Sequence, residues 1–323
     1  MSMKRVAVIA GGSSGEAVIS MKSAEMVMNN IDRTKYEPVK VVMDKTGWHA
    51  HWDGETFPVD KNDFTFKNSD GVYRFDGVFV AIHGTPGEDG ILQGYFDLVG
   101  LPTTTGSVLN LSLTFNKSMT NTYLHHEGFL CARAVMLKKS DVYSVRHIIN
   151  NVGLPCFVKP NRGGSSLGDS RVEKAEELPA AIEKALDVDG EVLIEELLSG
   201  TEVTCGVIRP YGRTMALPIT EIVAKGKFFD FAAKYEGQSE EITPARIKEH
   251  HYNNIQRMSE RIYDLLDCKG MIRADYFIKG EDIYVMEVNT VPGFSEASII
   301  PQQAAHADIS KKDLITMVIE SCF

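Results

Sequence analysis

Apolar positions come in two rhythms along this chain, short near-continuous runs and longer stretches with helical spacing, and the two alternate from the start. Val6 to Ala10, Pro38 to Met43 and Gly77 to Ile82 are buried-strand runs, with a helical stretch from Ile19 to Asn30 between the first two. That alternation predicts α/β organisation with a largely parallel sheet. From about Asn116 the pattern becomes α+β: a helix, strands at Ala134 to Leu137 and Cys156 to Lys159, a helix at Ala175 to Leu186 and a strand at Val192 to Glu195. Strands follow near Glu202 to Ile208 and Ala216 to Ile222, then a polar stretch from Glu236 to Pro244, a helix near Lys248 to Leu266 and a terminal helix near Lys311 to Ser321. Changes of pattern near 116 and 200 divide the chain into segments 1–116, 117–200 and 201–323. No repeat or low-complexity segment is present.

The two runs Met271 to Ile278 and Ile283 to Thr290 carry the most chemistry. Both are rich in β-branched and aromatic residues, and Lys279-Gly280-Glu281-Asp282 between them has turn character, which predicts an antiparallel hairpin. With a three-residue loop at positions 280 to 282, Asp275 faces Glu287 and Arg273 faces Asn289 on one side of the ribbon. A slip of one residue would scatter them. Opposed carboxylates repel unless a cation neutralises them, and an Asp/Glu/Asn oxygen set suits a hard divalent ion such as Mg²⁺ that also holds phosphate oxygens. Arg273 beside it would then be placed to stabilise charge on a transferring phosphoryl group. The alternative is a solvated hairpin face.

Composition narrows the field without naming a reaction. The 323 residues are 43% hydrophobic and 24% charged, as in ordinary globular proteins, and suffice for two or three domains. A net charge of -10 argues against nucleic acid as a partner and favours small-molecule chemistry. No apolar stretch has the length of a membrane span, and the N-terminal run passes straight into glycines, so it reads as a first strand and not a signal peptide; a cytoplasmic enzyme is expected. The five cysteines are widely spaced with no Cys-x-x-Cys, which fits reduced thiols without a metal or catalytic role.

Several loops offer ligand contacts. Phe157 to Gly168 runs from a strand bearing Lys159 into Gly164-Ser165-Ser166, where backbone N–H groups can approach phosphate oxygens, although such a string is also a common turn. It lacks the Gly-Lys-Ser/Thr of a Walker loop. Val192 to Glu202 ends a strand at Glu195 and Glu196, suited to an adenine edge and ribose hydroxyls, though acids after a strand are commonly just solvated. Gly11 to Glu16 follows the first strand and precedes a helix, but it is not Gly-x-Gly-x-x-Gly, which disfavours dinucleotide binding. Ile82 to Gly90 is a second polar loop at the same predicted sheet edge.

In this order the segments resemble the D-alanine:D-alanine ligases of the ATP-grasp superfamily, nearly end to end. The resemblance is carried by Gly11 to Glu16 with Ser20, His83-Gly84 to Gly90 with Gln93-Gly94, Gly106-Ser107 with Lys117, Lys159-Pro160 to Ser166, Glu195 to Glu202, Phe229 to Tyr235, Arg273 with Asp275, and Glu287 to Gly293 with Ser298. It implies a three-domain ATP-grasp architecture with an N-terminal Rossmann-like (pre-ATP-grasp) domain, working as a homodimer in peptidoglycan precursor synthesis. The implied reaction uses ATP to turn one D-alanine into an acyl phosphate that the amine of a second D-alanine attacks.

Carried over residue by residue, the resemblance implies that Asp275, Glu287 and Asn289 hold two Mg²⁺ (or Mn²⁺) between the ATP phosphates. Lys117, Lys159 and Lys234 contact those phosphates, and Glu195, Glu196, Leu197, Leu198 and Glu202 fix adenine and ribose. Arg273 and the Gly293 N–H form the oxyanion site, Glu16 takes the first alanine's ammonium, and Glu16, Ser165 and Tyr235 form a hydrogen-bonded set. Lys234 and Ser298 receive the second alanine's carboxylate, His83 lies beside the substrates, and a loop between Phe228 and Pro244 closes over them. Two positions depart from the family pattern: Ala17-Val18 after Glu16, where relatives carry polar residues, and Asn116 where they carry Asp. Tyr235 favours the dipeptide over D-alanyl-D-lactate. The rival readings are a D-alanine:D-lactate or other ATP-grasp carboxylate-amine ligase and a nucleotide-sensing protein without turnover.

Overall fold

The computed structural model describes residues 3–12, 15–164, 166–224 and 239–323. Three sheets follow one another along the chain. The first contains β1 (Lys4–Gly11), β2 (Tyr36–Asp44), β3 (Gly47–Trp52), β4 (Glu55–Asp60), β5 (Thr65–Asn68), β6 (Gly71–Tyr73) and β7 (Gly77–Val80), in the order β6-β5-β4-β3-β2-β1-β7. Only β2, β1 and β7 pair in parallel, and β3 to β6 form an antiparallel meander, so the expected largely parallel sheet is confined to three strands. The reason is composition: residues 47–73 are mixed polar and aromatic, and their rings Trp48, Phe64, Phe66, Tyr73 and Phe75 bury against one another in the core beneath the sheet.

The second sheet is wholly antiparallel. After a two-residue strand β8 (Leu130–Cys131) come β9 (Ala134–Lys138), β10 (Cys156–Pro160), β11 (Ser170–Val172) and β12 (Glu191–Glu196), ordered β11-β10-β12-β9. The helices Val145–Val152 and Leu178–Leu186 bury Ile148, Val152, Leu178 and Ile182 against one face of it. β8 itself leaves this sheet and pairs in parallel with the last strand of the third.

That third sheet holds β13 (Thr201–Ile208), β14 (Met215–Ala216), β15 (Thr220–Ala224), β16 (Ser239–Ile242), β17 (Met271–Lys279) and β18 (Asp282–Asn289), ordered β16-β15-β13-β17-β18-β8 with β14 beside β13. The expected strand over 216–222 is split in two because Pro218 brings no N–H to a ladder. Along β17 the even positions Ile272, Ala274 and Tyr276 are fully buried against the helix Glu249–Leu265, which contributes Ile255, Ile262 and Tyr263. Each such side chain contributes about 1.5–3 kcal/mol of burial. The odd positions, Arg273 and Asp275, therefore face the other way, into the cleft.

The hairpin differs from expectation in a way that matters for the site. Its turn is a two-residue one, with Lys279 opposite Asp282, and the register from there would bring Asp275 opposite Met286. A bulge between Val285 and Glu287 absorbs one residue, and beyond it Asp275 pairs with Glu287 and Arg273 with Asn289. The expected pairing is present, but the bulge produces it and not a longer turn.

The ends of the chain close onto each other. The helices Ile299–His306 and Lys311–Glu320 share one apolar core with β1 and the helix Ala17–Asn30, through Phe294, Ile300, Leu314 and Ile315 packed with Val6, Val8 and Val27. Tyr36 donates to Glu320 at 2.5 Å. The first sheet and the hairpin strand ends are thus held on either side of one cleft.

Candidate active site

β17 and β18 supply the floor. The Arg273 guanidinium makes two parallel 2.8 Å hydrogen bonds to the Asp275 carboxylate, Asn289 Nδ2 donates to Asp275 Oδ2 at 3.0 Å, and Glu287 lies across the register. Thr204, directly opposite Asp275 on β13, donates to Asp275 Oδ1 at 2.5 Å. This fixed carboxylate is only 9% exposed. β13 in turn is clamped from behind: Gln303 accepts from Gly206 N at 2.9 Å and donates to Thr204 O at 2.9 Å. A Cβ at Gly206 would stand 2.5 Å from Ile300 Cδ1 and 2.6 Å from Gln303 Oε1, so only glycine lets that helix approach.

Two lysines face this floor, one from the second sheet and one from the helix that precedes it. Lys159, on β10 and 7% exposed, pairs with Glu195 of β12 at 2.6 Å, and Asn121 donates to the other Glu195 oxygen at 3.1 Å. Burial pulls the Lys159 ammonium down, but the charges of Glu195 and Glu287 outweigh it and hold its pKa above the ordinary lysine value. Lys117 opens the helix Lys117–His126 and donates to Gly163 O at 2.6 Å. Burial lowers its pKa, against the pull of Glu287. Both cations thus sense Glu287 across the cleft.

Asn116 accounts for where Lys117 sits. Its side chain caps the helix by accepting from Met119 N at 3.0 Å and also accepts from Asn161 Nδ2 at 2.9 Å. Asn161, fully buried at the end of β10, accepts from Ser118 N and donates to Glu191. An amide at 116 does this capping as well as an acid does, so the departure from Asp leaves the lysine in place.

The N-terminal loops form the opposite wall. Gly11 has φ +99°, and a Cβ there would meet Met43 O at 2.2 Å; Gly11 N donates to Ser20 Oγ, which turns the chain from β1 into the helix behind Glu16. The Glu16 carboxylate lies against Gly164, about 3 Å from where a Cβ would be, so this wall touches the Gly/Ser loop of the second sheet. His83 links segments far apart in sequence: Nδ1 lies 2.8 Å from Val291 O and Nε2 2.9 Å from Ser23 Oγ, which also accepts from Phe294 N. A carbonyl only accepts, so Nδ1 carries the proton and Nε2 accepts from Ser23. Burial lowers the pKa of His83, which is neutral at pH 7. Beyond it, Gly293 borders Ser298, whose Oγ accepts from Ser295 N at 2.9 Å.

Glu88 is the group that sequence reasoning passed over. Burial, then the Glu16 charge, push its pKa up to about 8, while Gly84 N, Lys117 and Arg273 act to lower it. It lay in plain view in Gly87-Glu88-Asp89-Gly90, but nothing in the sequence marked it as half-buried and close to the Glu16 charge. Thr204 and Asn121 were also missed, because their contacts need strand pairing and a helix across the chain. Of the expected site residues, Glu16, His83, Lys117, Lys159, Glu195, Arg273, Asp275, Glu287 and Asn289 are linked to one another by hydrogen bonds, ion pairs or charge interactions, and Gly293 and Ser298 lie together next to the segment that His83 and Ser23 hold. Glu202 lies at the start of β13. The Glu196 side chain pairs instead with Arg133 at 2.8 Å, at the rim, and Leu197 and Leu198 follow β12 there. Ser165, Lys234 and Tyr235 lie outside the described residues, as does most of the stretch expected to close over the site.

Comparison with known proteins gives the same arrangement a family. Residues 5–107 match the family model described as D-ala D-ala ligase N-terminus, and residues 124–320 the one described as D-ala D-ala ligase C-terminus. The chain belongs to the D-alanine–D-alanine ligase family. A curated family relative, the D-alanine–D-alanine ligase of Phocaeicola vulgatus, is 44% identical over 324 residues, covering 99% of this chain and 100% of the relative. Among solved structures, the VanG D-Ala:D-Ser ligase from Enterococcus faecalis superposes with TM-score 0.88 at 30% identity, covering 100% of both chains. D-alanyl-alanine synthetase A from Vibrio cholerae gives TM-score 0.88 at 26% identity over 100% of this chain and 99% of that one. Membership in the D-alanine–D-alanine ligase family makes this chain an ATP-dependent ligase of the ATP-grasp type, and the α/β plus α+β architecture read from the sequence is the one observed.

Proposed function

We propose that the chain joins two D-alanine molecules into D-alanyl-D-alanine, forming ADP and phosphate, in the cytoplasm as a step toward peptidoglycan. The observation that carries this reading is the Asp275–Glu287 pairing beside Arg273 and Asn289, facing Lys117 and Lys159. Opposed acids fixed by the fold, with amide oxygen available from Asn289 after rotation of its side chain, fit a hard divalent cation. Two Mg²⁺ (or Mn²⁺) held there would neutralise the charge on the transferring phosphoryl group.

The chain's own residues do the rest. Lys117 and Lys159 orient the ATP phosphates, and the nucleotide lies along Glu195 to Leu198 and Glu202. Glu16 and Glu88 together receive the ammonium of the first D-alanine, which lowers the pKa of Glu88 on binding. Arg273 and the Gly293 N–H stabilise the tetrahedral oxyanion. Ser298 and Lys234 receive the second carboxylate, and cations nearby favour its neutral amine, the form that attacks. Ser165 and Tyr235 complete the set around Glu16. The domain division is 1–116, 117–200 and 201–323, and two copies associate through the first domain, where Ile91, Leu98 and Leu109 are exposed.

The test is ADP release with ATP and Mg²⁺, offering D-alanine, L-alanine, or D-alanine with D-lactate or D-serine, with product masses read in parallel. ADP release confined to D-alanine, with the dipeptide mass, is expected. A mixed D-alanyl-D-lactate or D-alanyl-D-serine product as the main species would move the chain to a sister specificity. Tyr235→Phe should raise D-lactate use relative to D-alanine, and an unchanged ratio removes Tyr235 from selectivity.

A further inference from the structure

At the far end of the same hairpin, away from the cleft, His250, His251 and Glu281 converge. They are the group of metal-ligating side chains found together among the described residues, with one donor atom from each within 4.8 Å of the others. His250 Nε2 lies 2.9 Å and His251 Nε2 3.5 Å from the same oxygen, Glu281 Oε2. The two histidines begin the helix Glu249–Leu265, and Glu281 is in the two-residue turn between β17 and β18.

One detail separates this cluster from an ordinary surface ion pair. The residue His251 is 4% exposed, yet its Nε2 is buried with no hydrogen-bond partner, at the limit of reach from Glu281. A buried ring nitrogen left unbonded is costly, and it points at the carboxylate that His250 also contacts. Lys248 holds the other oxygen of Glu281, Oε1, at 2.6 Å, so Oε2 is the one shared with the imidazoles.

We infer that His250 Nε2, His251 Nε2 and Glu281 Oε2 form a site for a borderline transition-metal ion of the Zn²⁺ class, separate from the ATP site. Imidazole and carboxylate donors suit Zn²⁺, Co²⁺ and Ni²⁺, whereas the all-oxygen set at Asp275, Glu287 and Asn289 suits Mg²⁺. Tetrahedral zinc with bonds of about 2.0–2.1 Å places its donors ~3.3 Å apart; the two histidine–carboxylate separations here are 2.9 and 3.5 Å, and the histidine nitrogens lie within 4.8 Å of each other. Three protein donors leave the fourth position to water, as expected for a site with His250 and Glu281 exposed. The bound ion ties the hairpin turn to the start of the helix, adding a crosslink at the end of the ribbon opposite the reaction.

The test is a Zn²⁺ titration of the full chain in excess Mg²⁺, which occupies the oxygen site, with Co²⁺ absorption as a second readout of tetrahedral nitrogen and oxygen coordination. One equivalent should bind and raise Tm. His250→Ala and Glu281→Ala, both at exposed positions, should each weaken Zn²⁺ by about tenfold or more and remove the Tm rise, with ADP release in zinc-free buffer retained. His251→Ala extends the series if it folds. No Zn²⁺ binding in excess Mg²⁺, or affinity equal to wild type in the His250 and Glu281 variants, overturns the site.

Discussion

The two ends of the β17–β18 hairpin hold acids in opposite surroundings. At the cleft end, Asp275 is nearly buried and locked by Arg273, Thr204 and Asn289, and nearby Glu88 has its pKa pushed up to about 8 because burial outweighs the cations around it. At the turn end, Glu281 is largely exposed, and hydrogen bonds from Lys248 and His250 bring its pKa down to about 2. One ribbon thus carries a preorganised site whose cost is met by packing behind it and an open one made from flexible side chains. Desolvation sets the Glu88 shift in the loop facing the cleft end, whereas specific partners hold both Asp275 and Glu281 on the ribbon itself.

The largest effect expected is at the cleft end: Glu287→Gln should abolish Mg²⁺-dependent ADP release, and near-normal turnover would remove Glu287 from the metal set. Arg273→Lys comes next. It keeps a charge but loses the paired contact to Asp275, and should lower kcat by about a hundredfold with the fold intact by circular dichroism; a change confined to KM would make Arg273 a binding residue only.

Smaller effects concern proton linkage. The folded pKa of Glu88 is raised from 4.5 to about 8, so its contribution to stability is complete below 4.5 and declines as pH rises toward 8. Glu88→Gln should flatten the Tm profile across that window, and parallel profiles for the two proteins would contradict a raised Glu88 pKa. Glu281 has the reverse sign: its contribution is present above 4.5 and is lost as pH falls through about 2. Glu281→Gln should therefore lower Tm slightly at neutral pH while ADP release in zinc-free buffer stays within about twofold of wild type. A large loss of activity there would show that the two ends of the hairpin are coupled.

The hairpin, the basic strand ends and the oxygen-rich donor set were legible in the sequence because period-two alternation and turn residues are local signals. Lys117, through the family resemblance, and Lys159 were expected as phosphate contacts, and their meeting with Glu287 depends on which segments face each other. The antiparallel meander at 47–73 was missed, since its short aromatic and polar runs acquire a strand's meaning only when their rings bury together. The stretches at 91–99, 108–115, 145–152 and 299–306 were likewise not singled out, and tertiary packing makes them helices.

By itself, then, the sequence determined the family, the sheet-and-helix rhythm and the residue types that can hold phosphate and a hard cation, because those follow from local pattern and donor chemistry. The tertiary structure alone decided the bulge at Met286 that sets Asp275 against Glu287, the neutral His83 bridge from Ser23 to Val291, the partial desolvation of Glu88 near Glu16 and the unbonded nitrogen of His251. Each of these is a matter of which distant segment lies alongside and how much water it leaves, and a linear pattern of residues contains neither.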